Sequence, residues 1–345
     1  MSRPFTARRL MLPLVPAYRL ALWMRERRLG TRAEPVRRLR FPVVSIGNLS
    51  TGGAGKTPLT IALAKALVAR GLEVDVLSRG YGRRGQLPVR VDPAGTADAF
   101  GDEPLLIARE ADVPVYVAGQ RYDAGLLAEE DVAQAQAQAQ AQRGETRHHV
   151  HLLDDGFQHR QLARDLDILL LNRKDWEDHL LPAGNLREPI GAAHRAGVIA
   201  IPGDDSALEQ ELRSWGWSGP LWRLRRSMDF PPIRGPVLAF CGIARPEQFF
   251  PGLTAGGVQV AFRKAFPDHH RYSASDVDRL LASARAAGAS ALITTAKDLV
   301  RMGELASRFP QTLPLTAIGL RMEIEDENGA IEWLFERLAE LLSPG

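Results

Sequence analysis

Apolar positions along this chain fall in short runs separated by glycines, prolines and charged clusters, the pattern of strands alternating with helices. The clearest stretch runs from Val43 to Ala69, VVSIGNLSTGGAGKTPLTIALAKALVA. Its first part predicts an apolar strand, its middle a glycine turn ending in Gly55-Lys56-Thr57, and its alanine- and leucine-rich remainder a helix. Further strands are predicted at VDVLS, PVYVAG, Val150 to Leu153, DLDILLLN and AGVIAI, with an apolar helical repeat after GDEPLL. Strand and helix signals that repeat in this way describe an α/β fold with a mostly parallel sheet. Ligands of such sheets gather at the carboxyl ends of the strands.

The pattern changes at both ends and once in the middle. Residues 205–235 shift in composition and mark a passage to a smaller C-terminal α/β unit. That unit carries a strand at PVLAFCG, a turn at ARPEQFF, a helix around 275–287, a strand at ALITTAKD and a final amphipathic helix with Ile331, Leu334, Phe335 and Leu338 at core spacing. The expected division is 1–30 as an N-terminal segment, 31–225 as a nucleotide-binding domain and 226–345 as the smaller domain. At the start of the chain, arginines interleave with Leu10, Leu12, Leu14, Leu20, Trp23 and Met24. This apolar stretch is far shorter than the roughly 20 residues that span a bilayer, and Pro13 and Pro16 are expected to interrupt a regular helix. An interfacial segment is the expectation, apolar side chains entering the headgroup region and arginines meeting lipid phosphates. The Gln/Ala tract at 133–142 has no apolar face and reads as an exposed insertion.

Composition sharpens this picture at three points. A length of 345 residues favours two domains. The single cysteine, Cys241, excludes a disulfide framework. The net charge of +3 conceals a balance of +9 within residues 1–40, so the basic character belongs to one end. That asymmetry argues against a general nucleic-acid groove and for an anionic surface met by the N-terminus. No obligate protein partner is inferred. His148, His149, His151 and His159 lack cysteine neighbours and do not all share one strand face, which argues against a transition-metal site.

The candidate chemistry starts at the glycine turn. Backbone N–H groups of Gly52, Gly53, Ala54 and Gly55 and the helix N-terminus at Lys56, Thr57 and Pro58 suit a polyphosphate, with Lys56 neutralising it and the Thr57 hydroxyl ligating Mg2+. Ser50 stands where the usual phosphate-loop spacing has its first glycine. Asp154 and Asp155 end a predicted strand, where an acid reaches the metal held by such a loop. Asp102 and Glu103 open a helix, and Ser78, Arg79, Tyr81, Arg83 and Arg84 form a basic glycine loop that can reach an anionic substrate. From the residues alone the chemistry is phosphoryl transfer or nucleotide hydrolysis.

The sequence also resembles the lipid A 4'-kinases, the tetraacyldisaccharide 4'-kinases of Gram-negative bacteria. The resemblance rests on VVSIGNLSTGGAGKTP, LSRGYGR, GDEPLL, LLDDGFQH, LLPAGNLREP, FCGIARPEQFF, FPDHHRY and ITTAKD, in order over nearly the whole chain. It implies ATP-dependent phosphorylation of the 4'-hydroxyl of tetraacyldisaccharide 1-phosphate at the cytoplasmic face of the inner membrane, with ATP and Mg2+. By that resemblance Lys56 and Thr57 hold phosphate and metal, and Asp154, Asp155 and Glu188 surround the metal. Asp102 is similar to the family's catalytic base, oriented by His269. Arg79, Tyr81, Arg121 and Arg187 become contacts for sugar or phosphate, and Thr295, Lys297 and Asp298 line the nucleotide side of an interdomain cleft. The alternative is another membrane-associated P-loop protein, such as a GTP-dependent maturation factor, for which TAKD at 295–298 is a loose guanine motif.

Overall fold

All six residues of strand β1 (Val43–Asn48) are buried, so both faces of this strand are covered, as in a parallel sheet layered by helices. The computed structural model describes residues 8, 10–31, 35–52, 55–143 and 148–342. The first half of the sheet contains β1, β2 (Glu73–Ser78), β3 (Val89–Arg90), β4 (Val115–Val117), β5 (His149–Asp154) and β6 (Leu166–Leu170). The second half contains β7 (Val198–Pro202), β8 (Leu221–Asp229), β9 (Val237–Cys241), β10 (Val260–Ala265), β11 (Ala291–Thr295) and β12 (Leu315–Ile324). They form one sheet in the order β10-β9-β11-β12-β8-β7-β6-β1-β5-β2-β4-β3. Every pairing is parallel except β12 with β8 and β3 with β4.

The register fixes where chemistry can occur. Ile46 of β1 lies beside Asp154 of β5 and Ile168 of β6, so the strand after Ile46 and the acids after Leu153 emerge at the same sheet edge. The helix Lys56–Ala69 packs Leu59, Leu63 and Leu67 onto this part of the sheet, and the helix Asp102–Ala111 adds Leu105 and Ile107 to the same core. A separate core around Leu238, Phe240, Val277, Leu280 and Leu292 supports the C-terminal part.

Several expectations change. Pro13 sits in a short 3-10 turn, Leu12–Leu14, and Pro16 in the first turn of the helix Val15–Arg28. At that position proline loses no intrahelical bond, so the prolines start this helix instead of breaking it. ARPEQFF opens the helix Pro246–Ala255, and the strand at ALITTAKD stops at Thr295, where Ala296–Met302 begins a helix. The boundary expected at residue 225 falls inside β8, whose antiparallel partner β12 carries the sheet from one part to the other. The Gln/Ala tract continues the helix Arg121–Arg143. Among the described residues no helix is long and apolar enough to cross a membrane.

Candidate active site

The phosphate-loop helix starts on Gly55, which has φ of 88°, a left-handed conformation that favours glycine. A Cβ at that position would lie 2.5 Å from Met322 Cε, a flexible side-chain end that can shift, so the left-handed φ is what reserves the position for glycine. Gly52 is exposed with φ of 111°, whereas Gly53 and Ala54 lie outside the described residues. Lys56, Thr57 and Pro58 form the first helical turn and are half-buried. Lys56 Nζ donates to Asn48 Oδ1 at 3.0 Å and pairs with Asp155 Oδ1 at 3.3 Å.

Asn48 is the junction of this end of the sheet. Its Oδ1 also accepts from Arg187 Nη2 at 2.8 Å, its Nδ2 donates to Ser50 Oγ at 3.0 Å, and its carbonyl accepts from Gln158 Nε2 at 2.7 Å. Ser50 is buried, bridges Leu186 and hydrogen-bonds Asp175. A glycine there would keep the backbone bridge to Leu186 but lose the hydroxyl that joins Asn48 to Asp175, which explains the departure from the usual spacing.

The two strand-end aspartates occupy opposite electrostatic situations. Asp155 has φ of 50° and meets Arg187 at 3.1 Å; burial opposes its charge, but Lys56 and Arg187 hold its carboxyl well below the usual range. Asp154 is 2% exposed, and burial, then Glu103 and Asp155, push it up to about 7. Its approach to Thr60 Oγ1 is long, 3.4 Å. Arg121 is buried, donates weakly to the Asp155 carbonyl at 3.4 Å and leaves its Nε without a partner. Burial, then Arg121, Arg164, Arg25 and Arg79, pull His159 down to about 3, the mark of a cationic field that an anion would neutralise.

A second pair is drawn from distant parts of the chain. His269 Nδ1 lies 3.1 Å from Asp102 Oδ2, and the Tyr81 ring centroid lies 5.2 Å from that of His269. Burial opposes the Asp102 charge, but His269, Lys297 and Arg301 hold the carboxyl far below its ordinary range.

Glu188, Asp298, Thr295 and Lys297 are each engaged by other residues of the protein. Glu188 pairs with Arg195 at 2.6 Å; among the described residues, Asp154, Asp155 and Glu188 do not converge as a three-ligand group. Asp298 is fully buried, accepts from the Gly242 N–H at 3.0 Å, Tyr272 at 3.0 Å and Thr295 at 2.7 Å, and has no face for a nucleotide. Thr295 caps the following helix, and Lys297 donates to Glu103 at 2.6 Å. TAKD therefore forms the strand end and the start of the next helix.

A model of the family described as "Tetraacyldisaccharide-1-P 4'-kinase" matches residues 7–339. The chain belongs to the tetraacyldisaccharide 4'-kinase family. It is 40% identical over 306 residues to the tetraacyldisaccharide 4'-kinase of Koribacter versatilis, covering 86% of this chain and 88% of that protein. To the kinase of Rhodopseudomonas palustris it is 35% identical over 346 residues, covering 97% and 94%. LpxK from Aquifex aeolicus, solved in complex with ATP, superposes with a TM-score of 0.71 at 29% identity, over 96% of this chain and 100% of that one. Sequence reading missed Asn48 and Arg301 at this kinase site. Asn48 is the one amide ending an otherwise apolar strand, a visible signal; Arg301 stood one turn beyond TTAKD and was legible only once that run is taken as a helix.

Proposed function

We propose that this chain transfers the γ-phosphoryl group of ATP to the 4'-hydroxyl of tetraacyldisaccharide 1-phosphate, a step of lipid A synthesis. The observations that carry the reading are Lys56 paired with the strand-end Asp155 and a His269–Asp102 pair at the start of a helix whose Glu103 charge reaches Asp154. The helix N-terminus and Lys56 bind the polyphosphate, and Arg187 and Arg121 add positive charge beside it. A cavity of about 390 Å³ at the ends of β6, β7 and β8, with Leu170, Ile201, Leu224 and Met322 in its walls and Arg226 and Arg245 among its lining, suits the nucleoside.

A divalent cation fits the donor set of Thr57, Asp154 and Asp155, because Asp154 is a buried carboxyl that gains its charge once a cation is near. Mg2+ bound there would neutralise phosphate charge during transfer. The acceptor hydroxyl gives its proton to the Asp102–His269 pair as its oxygen attacks the γ-phosphorus. The bond from that phosphorus to the β–γ bridging oxygen breaks, and ADP leaves.

The N-terminal segment supports a place at the cytoplasmic face of the inner membrane, peripheral or monotopic. Leu14, Leu20, Trp23 and Met24 are exposed, while Val15, Tyr18 and Leu22 pack on the core. A cavity of about 470 Å³ beneath this helix, lined by Leu22, Trp23, Leu29, Ala192 and Arg195, suits an acyl chain. Transfer of 32P from γ-labelled ATP to the tetraacylated disaccharide 1-phosphate is the test. Label in the lipid only when the acceptor is present is expected; acceptor-independent GTP hydrolysis without lipid labelling would overturn the reading.

A further inference from the structure

Ser50 brings a hydroxyl to the place where the usual phosphate-loop spacing has a glycine, and that hydroxyl belongs to a buried chain of polar groups. Ser50 is 1% exposed, Asp175 2% and Asn48 0%. The chain begins at Asn172, in the lining of the cavity that suits the nucleoside. Asn172 Nδ2 donates to Asp175 Oδ2 at 2.8 Å, and its Oδ1 accepts the Asp175 backbone N–H at 3.1 Å, capping the short helix Arg173–Trp176. The Ser50 hydroxyl hydrogen-bonds the Asp175 carboxylate. Ser50 Oγ in turn accepts from Asn48 Nδ2 at 3.0 Å. The chain ends where Asn48 Oδ1 accepts from Lys56 Nζ at 3.0 Å and from Arg187 Nη2 at 2.8 Å.

The hydrogens of this chain can run in one direction only. A hydroxyl has a single hydrogen, and an ionised carboxylate can only accept. Asp175 takes the Ser50 hydrogen, so Ser50 Oγ is left as an acceptor and the Asn48 amide must turn its NH2 toward it. The carbonyl end of the amide then faces Lys56 and Arg187, two cations that an NH2 group would repel. Burial raises the Asp175 carboxyl above its ordinary range, and the Ser50 hydroxyl, then Arg245, works against that rise. Lys56 is thus drawn from two sides, by Asn48 Oδ1 and by Asp155 Oδ1 at 3.3 Å. With the amide reversed, Lys56 would keep only Asp155 and would lean away from the phosphates, onto an acid of the cation's donor set.

We infer that Ser50 and Asp175 are positioning residues of the reaction: they fix the Asn48 amide so that its carbonyl oxygen holds Lys56 and Arg187 in place for the polyphosphate. The inference rests on the kinase reading above. It gives the serine a task that a glycine in the same place has no atom to perform.

The test compares wild type, Ser50→Ala, Asp175→Asn and the double variant by lipid phosphorylation at varied ATP and varied acceptor. Ser50→Ala removes the link. Asp175→Asn keeps the shape of the side chain but adds a donor, so the direction of the chain is no longer imposed. Each single variant is expected to lower kcat/KM for ATP about 10- to 100-fold, the range for losing a group that orients a functional side chain from behind, with the KM for the lipid unchanged. Both act through one amide, so the double variant should lose no more than the worse single one, whereas unrelated structural damage would multiply. Multiplied losses, a wild-type kcat/KM for ATP in either single variant, or a loss confined to the KM for the lipid would overturn the inference. Should Ser50→Ala not fold, a wild-type kcat/KM for ATP in Asp175→Asn would overturn it. Labelling of the lipid by the wild type tests the kinase reading separately: its absence sinks that reading, whereas its presence with unaffected variants sinks only the role of Ser50 and Asp175.

Discussion

Strand β5 carries a buried charged cluster at each end, and the two differ in what they leave unsatisfied. At its beginning, His149 and His151 face Asp75 of β2, which lies opposite His151 in the ladder. Asp75 Oδ2 meets His149 Nε2 and Oδ1 meets His151 Nδ1, both at 2.8 Å, with Phe41 against the two rings. Glu129 lies 3.6 Å from His151 Nε2 and accepts the backbone N–H of Phe41. Here both carboxylate oxygens are paired by the protein, although His149 Nδ1 and His151 Nε2 are buried without a hydrogen-bond partner. At the other end, five residues on, Asp154 keeps one long approach and an acidic neighbour, while Arg121 keeps an idle N–H. The lesson lies in the two carboxylates: Asp75, with both oxygens held by the protein, acts on the fold, whereas Asp154, a buried carboxyl left with spare capacity, marks where a ligand enters.

Removing one member from each cluster should separate the two effects. Asp75→Ala leaves His149 and His151 without their shared acceptor, and breaking a buried ionic group costs about 3–5 kcal/mol. Urea unfolding should show that loss with kcat unchanged in the protein that remains folded; a wild-type midpoint would mean that the cluster contributes nothing. Lys56→Ala should do the reverse. Asp155 keeps Arg187, so the urea midpoint should hold, while kcat falls about 10²- to 10³-fold, the range for losing one donor to transition-state charge. Loss of stability without loss of rate would merge the two ends into one structural role.

The functional end was largely legible in the sequence because its elements are local. Glycine punctuation, a lysine at a helix start and acids at a strand end follow from neighbours along the chain, and β1, β2, β5, β6 and β7 all stand where the apolar runs predict them. The other end was not legible. Asp75 and His151 are 76 residues apart and meet only through the β2–β5 register, which no run of residues announces. The same reason hid β8 and β12: β8 alternates buried Trp222 and Leu224 with exposed arginines, and its pairing with β12 spans 98 residues between Arg225 and Glu323. Glu188 and Asp298 were assigned by motif, but motifs fix chemistry type and position in the chain, not which way a side chain turns.

A change of pH tests the comparison without altering a side chain, and with a smaller expected effect than either substitution. In the Asp75 cluster, burial opposes both charges. His151 and His149 nevertheless lower the Asp75 carboxyl to about 2, and Asp75, then Glu129, raise His151 to about 9. A raised histidine stabilises fully below its unfolded value near 6.5 and loses that contribution as pH climbs through 9; a lowered aspartate stabilises above its unfolded value near 3.8 and loses it as pH falls toward 2. The cluster therefore contributes most between about pH 4 and 6.5. Urea midpoints should decline between about pH 6.5 and 9 in wild type and decline less in His151→Phe, which cannot titrate. The charges around Asp75 include Glu73, 3.9 Å from His149, and Glu129, whose carboxyl, despite burial, His151 and the Phe41 and Arg40 backbone N–H groups hold below its ordinary range. A parallel decline in wild type and variant would show that His151 carries no linked proton, and would leave the Asp75 cluster without the electrostatic role that sets it apart from Asp154 and Asp155.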